Sequence, residues 1–270
     1  MHRGKLFFCL PLVLVGCSGR YILTAGDHVV TVGGEAPVVI RLQRSEVYKV
    51  AMSVKDAPVQ FRIGDGPERW AFTDGLGYAG TPVPVPAKTG KYRVDITYQD
   101  REGDVLNGEA AVYAWHVGRP AVAVDLDCLP PAGGNDAEAA ASALTTVGRR
   151  ANILYLTRRP VAEHQRVHAD LEAAGYPDGP VLLWQREYWH VRPVGKYAVL
   201  MIAVESRLIS QLAQVRKAFP RLDVGICASD LAARAFTEAG LRCLIVGQAE
   251  VGVGNAMHRK SWEELAAAGI

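Results

Sequence analysis

Two aspartates stand two residues apart at the end of a short apolar run, Ala121-Val122-Ala123-Val124-Asp125-Leu126-Asp127-Cys128-Leu129. In an extended segment, residues two apart project the same way, so Asp125 and Asp127 present two carboxylates at one strand tip. Such a pair repels itself unless a cation or phosphate chemistry uses it, and an oxygen-rich acidic site suits Mg2+. The small and β-branched residues before it read as a buried parallel strand. The carboxyl ends of such strands are where open sheets place their ligands. A structural pair neutralised by Arg149, Arg150 or Arg158 is the other account of the same two acids.

The elements that must hold these acids alternate in period. Asp136 to Val147 is Ala-rich and helical, with Asn135 or Asp136 as its cap. Ala151 to Thr157 is a second apolar strand that also ends in a polar residue, Thr157. Pro160 suits a first helical turn, Val161 to Ala174 continues as a helix, and Gly175 stops it. Val181 to Trp184 forms a third strand, and Ala198 to Ala203 is a strand or a buried segment. Arg207 to Phe219 and Leu231 to Ala239 are helical, with strands at Val224 to Cys227 and Cys243 to Val246. Alternation of this kind predicts an α/β, doubly wound parallel sheet over residues 119–270.

Before it, residues 18–118 read as short strands separated by Gly-Gly, Asp-Gly and Asp-Gly-Pro turns. Tyr92, Val94, Ile96 and Tyr98 make the clearest period-two face. The pattern predicts an immunoglobulin-like β-sandwich without the Cys…Trp…Cys signature, acting as a spacer or partner-binding module. His28 and His116 read as surface or strand-end residues. Gly118-Arg119-Pro120 is a short stiff junction.

Residues 1–17 read as an export signal: His2, Arg3 and Lys5 are basic, and Leu6 to Val15 is apolar but too short to span a bilayer. Leu14-Val15-Gly16-Cys17 resembles the bacterial lipoprotein signal. That resemblance implies lipidation at Cys17 and anchoring at a membrane of the cell envelope, on the periplasmic side. The 270-residue chain has 30 basic and 28 acidic residues, net +2, a balance that argues against a nucleic-acid partner. Five cysteines make no disulfide framework or zinc spacing, although Cys128 and Cys227 lie near predicted strand tips.

Asp125-Leu126-Asp127, the strand-end Thr157 and a later basic residue followed by an acid resemble the haloacid dehalogenase (HAD) superfamily. Tyr155-Leu156-Thr157-Arg158-Arg159-Pro160 and Gly175-Tyr176-Pro177-Asp178-Gly179-Pro180-Val181-Leu182-Leu183 are similar to its lipin-type phosphatidate phosphatase branch, as are Phe219-Pro220 and Ala235-Phe236 with Ala239-Gly240-Leu241. The resemblance implies Asp125 as nucleophile, Asp127 as general acid and then base, and Mg2+ at Asp125 and Asp127. It implies Thr157 on a phosphate oxygen and Lys217, or Arg216, against the phosphate charge. Leu129 departs from the usual Thr or Val, and Ala232 stands where the metal-binding Asp belongs. Asp230, two residues earlier, either takes that place through a shifted loop or the ligand is lost.

Three functions follow as expectations. The first is a membrane-anchored, Mg2+-dependent phosphomonoester hydrolase, acting on a phosphorylated small molecule or a phospholipid such as phosphatidate. The second is a degenerate module of the same kind that binds a phosphate-bearing lipid or partner without turnover. The third is a structural surface lipoprotein. Short inserts after Asp127 and Pro180 leave room only for a small cap over the site. Trp184, Tyr188, Trp189 and His190 form an aromatic cluster, read as packing or as a wall near the mouth of the site.

Overall fold

The computed structural model describes residues 20–45, 51–183, 185–194, 197–206, 208–247 and 256–267. The amino-terminal part is built of strands alone. They are β1 (Arg20–Ala25), β2 (His28–Thr31), β3 (Glu35–Ser45), β4 (Ala51–Ser53), β5 (Pro58–Ile63), β6 (Arg69–Phe72), β7 (Tyr78–Pro84), β8 (Gly90–Gln99) and β9 (Val105–Trp115). β3 pairs with β1, β4 and β7 in one sheet, and β2-β9-β8-β5-β6 make the other. Alternation drives the packing. Val38, Ile40 and Leu42 of β3 face Phe61, Val94, Ile96 and Val112 of the second sheet in one dry core. The β8–β9 turn is fixed locally, because Asp100 Oδ1 accepts the N–H groups of Glu102 and Asp104. This is a β-sandwich. All its pairings are antiparallel except β2 with β9.

After the turn at His116–Pro120 come β10 (Ala121–Asp125), α1 (Ala137–Arg150), β11 (Asn152–Thr157), α2 (His164–Ala173) and β12 (Val181–Leu183). Then follow β13 (Gln185–Val194), β14 (Tyr197–Ser206), α3 (Leu208–Ala218), β15 (Leu222–Cys227), α4 (Asp230–Glu238), β16 (Arg242–Val246), β17 (Met257–Arg259) and α5 (Trp262–Ala267). Six of these strands form a parallel sheet in the order β12-β11-β10-β15-β16-β17. Residues alternate across it. Ala121 and Ala123 pack with α3 and α4 on one face, and Val122 and Val124 with α1, α2 and α5 on the other. At Gly225 the backbone of β15 lies so close to the Phe236 ring that a Cβ would collide with it, which lets α4 settle against the strand.

The α/β, doubly wound class expected from the sequence is corrected. The chain is mainly β: seventeen strands stand against five α-helices among the described residues. Two features account for the error. Every element of residues 20–115 is a strand, and the sandwich makes the first half of the chain antiparallel in the main. Residues 185–206, read as aromatic packing and an apolar strand or buried segment, pair with themselves as an antiparallel hairpin with ten-residue arms instead of supplying a strand–helix unit. That hairpin also corrects the expectation of only short inserts. It leaves from the carboxyl end of β12, the edge of the sheet that carries Asp125.

The two halves share a core. Tyr113 and Trp115 of β9 are buried with Leu212, Val215, Phe219 and Leu222, and the Trp115 and Phe219 rings meet edge to face at 5.5 Å. Polar ties flank it: Tyr113 Oη and Lys91 Nζ donate to Asp178, and Arg119 donates to the Gly148 carbonyl. Phe219→Ala is expected to lower the unfolding free energy by about 3–5 kcal/mol and to shift sandwich and parallel sheet in one transition. Urea unfolding followed by far-UV circular dichroism and by tryptophan fluorescence checks this. Two separated transitions, with the sandwich unperturbed, would show that this core does not couple the halves.

Candidate functional site

In the parallel sheet, the chain leaves β10 toward β11 on one side and returns to β15 on the other. The strand order therefore reverses at β10, the place where such sheets leave a crevice beyond the strand ends. Asp125 is the last residue of β10, in register with Leu156, so Thr157 follows one step beyond it at the end of β11. Being on the same side as Ala121 and Ala123, Asp125 faces the start of α4. There Ser229, the helix cap, donates its hydroxyl to Asp125 Oδ2 at 3.4 Å and accepts the Ala232 N–H at the same distance.

Asp125 is fully buried. It caps the 3-10 turn Leu126–Cys128, with Oδ1 accepting the Asp127 N–H at 3.2 Å. Burial pushes its carboxyl from the ordinary 3.8 up to about 6, aided by the Asp127 carboxylate; the Asp127 N–H, Arg158 and the Ser229 hydroxyl pull the other way. Asp127 is partly exposed and ion-paired with the Arg158 guanidinium. Thr157 is buried, and its Oγ1 accepts the Arg159 N–H at 3.1 Å, closing the turn that leads to Pro160. Asp125, Asp127, Thr157, Arg158 and Ser229 thus meet at one edge of the sheet.

Other expected residues fall elsewhere. Lys217 lies in the last turn of α3, just before β15 begins. Leu222 at that beginning follows Arg221, whose carbonyl accepts the N–H of Ala121, the first residue of β10. Lys217 is therefore at the opposite edge of the sheet, roughly 13 Å of strand from Asp125. Arg216 caps α4 through the Ala239 carbonyl, at 2.9 Å. The basic residue at the site is Arg158. Asp230 is the exposed first residue of α4, and Ala232 is buried. Asp125, Asp127 and Asp230 do not form one of the two clusters of three metal-capable side chains among the described residues. A hydrated Mg2+ needs only one or two carboxylates, and the buried Asp125 carboxylate, with Asp127 beside it, fits that donor set. Cys17 lies outside the described residues. Cys227 faces Cys243 at 3.3 Å, not Cys128, and all three are free thiols.

Ser229 was missed by sequence reasoning, although a serine between a strand and a helix in cap position is a signal. Arg158 was one of three arginines weighed as partners of the aspartates, and it is the one paired with Asp127; its place on the wall of the cleft was not foreseen.

A cleft of about 630 Å3 adjoins the site between sandwich and parallel sheet. Its walls include Arg41 and Tyr78 from the sandwich, and Arg158, Pro160 and Leu183 from the other side.

No family model and no curated relative matches the chain. Among solved structures it is similar to the tandem Ig repeats of Dlar, at 12% identity over 41% of this chain and 61% of that one, TM-score 0.28. It is similar to PhoD at 9% identity over 60% and 37%, TM-score 0.32. A third likeness is to XAC1771, a carbohydrate acetylesterase from Xanthomonas citri, at 12% over 89% and 62%, TM-score 0.28. The chain spans less than two thirds of the length of each. At TM-scores of this size none of them carries an argument about fold or activity.

The raised Asp125 carboxyl has a signed consequence. A group whose folded-state value is raised contributes stability that is full below about pH 4 and is lost as pH rises through about 6. In chelator, Asp125→Asn is therefore expected to gain on wild type by on the order of 2 kcal/mol between pH 4.5 and 7.5. Paired urea titrations at the two pH values check it, and a difference that does not change with pH would show that burial does not raise this carboxyl.

Proposed function

We propose that the chain is a phosphomonoester hydrolase acting through an aspartyl-phosphate at Asp125. The observation that carries this reading is a fully buried carboxylate at the sheet's switch point with a second carboxylate two residues on. Two hydroxyls, Thr157 and Ser229, and one guanidinium, Arg158, stand at the same edge.

Asp125 Oδ attacks phosphorus, the P–O bond to the leaving group breaks, and an acyl phosphate forms. Asp127, protonated from solvent once its ion pair with Arg158 opens, delivers that proton to the departing oxygen. Water then attacks phosphorus with Asp127 taking its proton, the P–O bond to Asp125 breaks, and Asp125 leaves as a carboxylate; Asp127 gives its proton back to solvent as phosphate departs and pairs with Arg158 again. Arg158 links binding to chemistry. Phosphate oxygens compete with Asp127 for its guanidinium, so substrate entry exchanges an ion pair for a phosphate contact and frees Asp127 to carry the proton. Mg2+ at Asp125 and Asp127 would offset phosphate charge. Asp125 is also where burial disfavours a bare anion, so a cation there meets a need the protein itself leaves open.

Lipidation at Cys17 would hold the immunoglobulin-like sandwich and the site against a membrane of the bacterial envelope, within reach of phospholipid headgroups such as phosphatidate. Among the described residues no helix is long and apolar enough to cross a membrane.

A second reading is a phosphate-binding module without turnover. The exposed Asp230, the buried Ala232 and the Asp127–Arg158 pair favour it.

Phosphate release from an aryl phosphate and from short-chain phosphatidate, with and without Mg2+, separates the two. Turnover that needs Mg2+ and falls by about 10²–10⁴ in Asp127→Asn, and to background in Asp125→Asn, supports the hydrolase. Arg158→Ala should raise KM more than it lowers kcat. Phosphate bound but not released would establish the second reading, and neither bound nor released would end both.

A further inference from the structure

A second cluster borders the cleft, with Asp27 among its walls, where the sandwich docks on α2. Asp27, in the turn between β1 and β2, has a side chain only 1% exposed. His164 and His168 are four residues apart on α2 and so share one face. Both present Nε2 to the same carboxylate: His168 at 2.8 Å from Oδ2, His164 at 3.4 Å from Oδ1. The Val181 N–H also donates to Oδ2, at 2.8 Å. One ligand atom from each of the three residues lies within 4.8 Å of the others.

Hydrogen bonding alone does not satisfy this cluster. Asp27 Oδ1 and His164 Nε2 are both buried and have no hydrogen-bond partner. They face each other too far apart for a good hydrogen bond, and a buried polar atom left this way is costly. Their separation has another match. With bonds of about 2.0–2.1 Å, two ligands on a tetrahedral ion stand about 3.3 Å apart.

We propose that Asp27, His164 and His168 bind a divalent transition-metal ion of the zinc type, which fastens the sandwich to α2. Two imidazole nitrogens with one carboxylate suit such a borderline cation, whereas Mg2+ and Ca2+ ask for oxygen throughout. Oδ1 and the two Nε2 atoms are the ligands. The Val181 N–H holds Oδ2 and so leaves Oδ1 facing His164, as an outer-shell partner does. His168 Nε2 exchanges its hydrogen bond to Oδ2 for the ion as it binds. Three protein ligands leave one position to water, and the partly exposed His168 marks where ion and water enter. His28, the next residue after Asp27, is engaged elsewhere, its Nε2 accepting the Val39 N–H. None of these residues belongs to the proposed phosphatase site, so the two readings stand or fall separately.

The test uses the full chain, stripped with chelator and titrated with Zn2+ while its thermal midpoint is followed. The expected result is one Zn2+ per chain and a midpoint that climbs with Zn2+, as for any ligand bound only by the folded form. His164→Gln and His168→Gln should each lose that climb. They should weaken binding beyond the roughly 10–100-fold that loss of an outer-shell partner costs. If a variant does not fold, the spectrum of Co2+ bound to the wild-type chain decides. Visible bands of a tetrahedral nitrogen–oxygen site support the proposal, and an octahedral spectrum overturns it. A wild-type midpoint indifferent to Zn2+, or Zn2+ binding unchanged in the double variant, also overturns it. Asp100, Glu102 and Asp104 form an exposed acidic turn, and Glu102→Gln, which should change nothing, controls for adventitious binding there.

Discussion

A carboxylate withdrawn from water must find compensation in what surrounds it, and this structure turns on two such groups. Asp27 is withdrawn at the docking surface between sandwich and α2, and Asp125 at the switch point of the parallel sheet. Burial alone would raise both. At Asp27 burial is outweighed by the His164 and His168 imidazoles that face it, which bring the carboxyl down to about 2. At Asp125 burial prevails, because its partners are one backbone N–H and one long hydroxyl contact. Asp27 is therefore an anion that ties the halves together, and Asp125 an acid held short of compensation at the mouth of a crevice. Each leaves something for a ligand to meet: an unpartnered Oδ1 at Asp27, and at Asp125 a carboxyl that burial raises.

What was legible in the sequence follows the range of the interactions involved. β10 and β11 end at Asp125 and Thr157 because apolar runs stop there, and such a stop needs only neighbours to be seen. Gly175, with φ of +73°, ends the α2 segment for the same local reason. The hairpin at residues 185–206 was less accessible. Each of its arms is apolar enough to read as a buried element, and only their pairing with each other shows an arm that adds no strand to the parallel sheet. β7 is hard to read for another reason: Pro82 and Pro84 argue against a strand interior, and the structure places it at an edge, pairing only with β3.

The site divides the same way. The two aspartates and the threonine could be found by spacing along one strand and at the tip of the next. Lys217 and Arg216 came from the family resemblance, and the last turn of a helix that leads into the start of β15 lies away from the strand ends that carry the site. Arg158 and Ser229 reach Asp127 and Asp125 from separate strand ends, a relation that only the strand order fixes. Asp27 with His164 lay furthest from view, since 137 positions separate them in sequence. The i, i+4 histidines went unremarked, since without a third donor such a pair is ordinary on a helix.

One short segment joins these places. From the end of β11 the chain runs Thr157, Arg158, Arg159, Pro160, then through a 3-10 turn into α2 with His164 and His168. Thr157 stands beside Asp125, Arg158 holds Asp127, Arg159 is ion-paired with Asp170 farther along α2, and the histidines grip Asp27. Arg158 is thus rooted between two fixed points, the buried strand end and a helix pinned to the sandwich. Its backbone has little room to move, so any exchange of partner must come from the side chain, which is long and half exposed. The sandwich accordingly does more than space the site from its surroundings. By fixing α2 it limits where the guanidinium can reach, and it forms with Arg158 the cleft that adjoins the two aspartates.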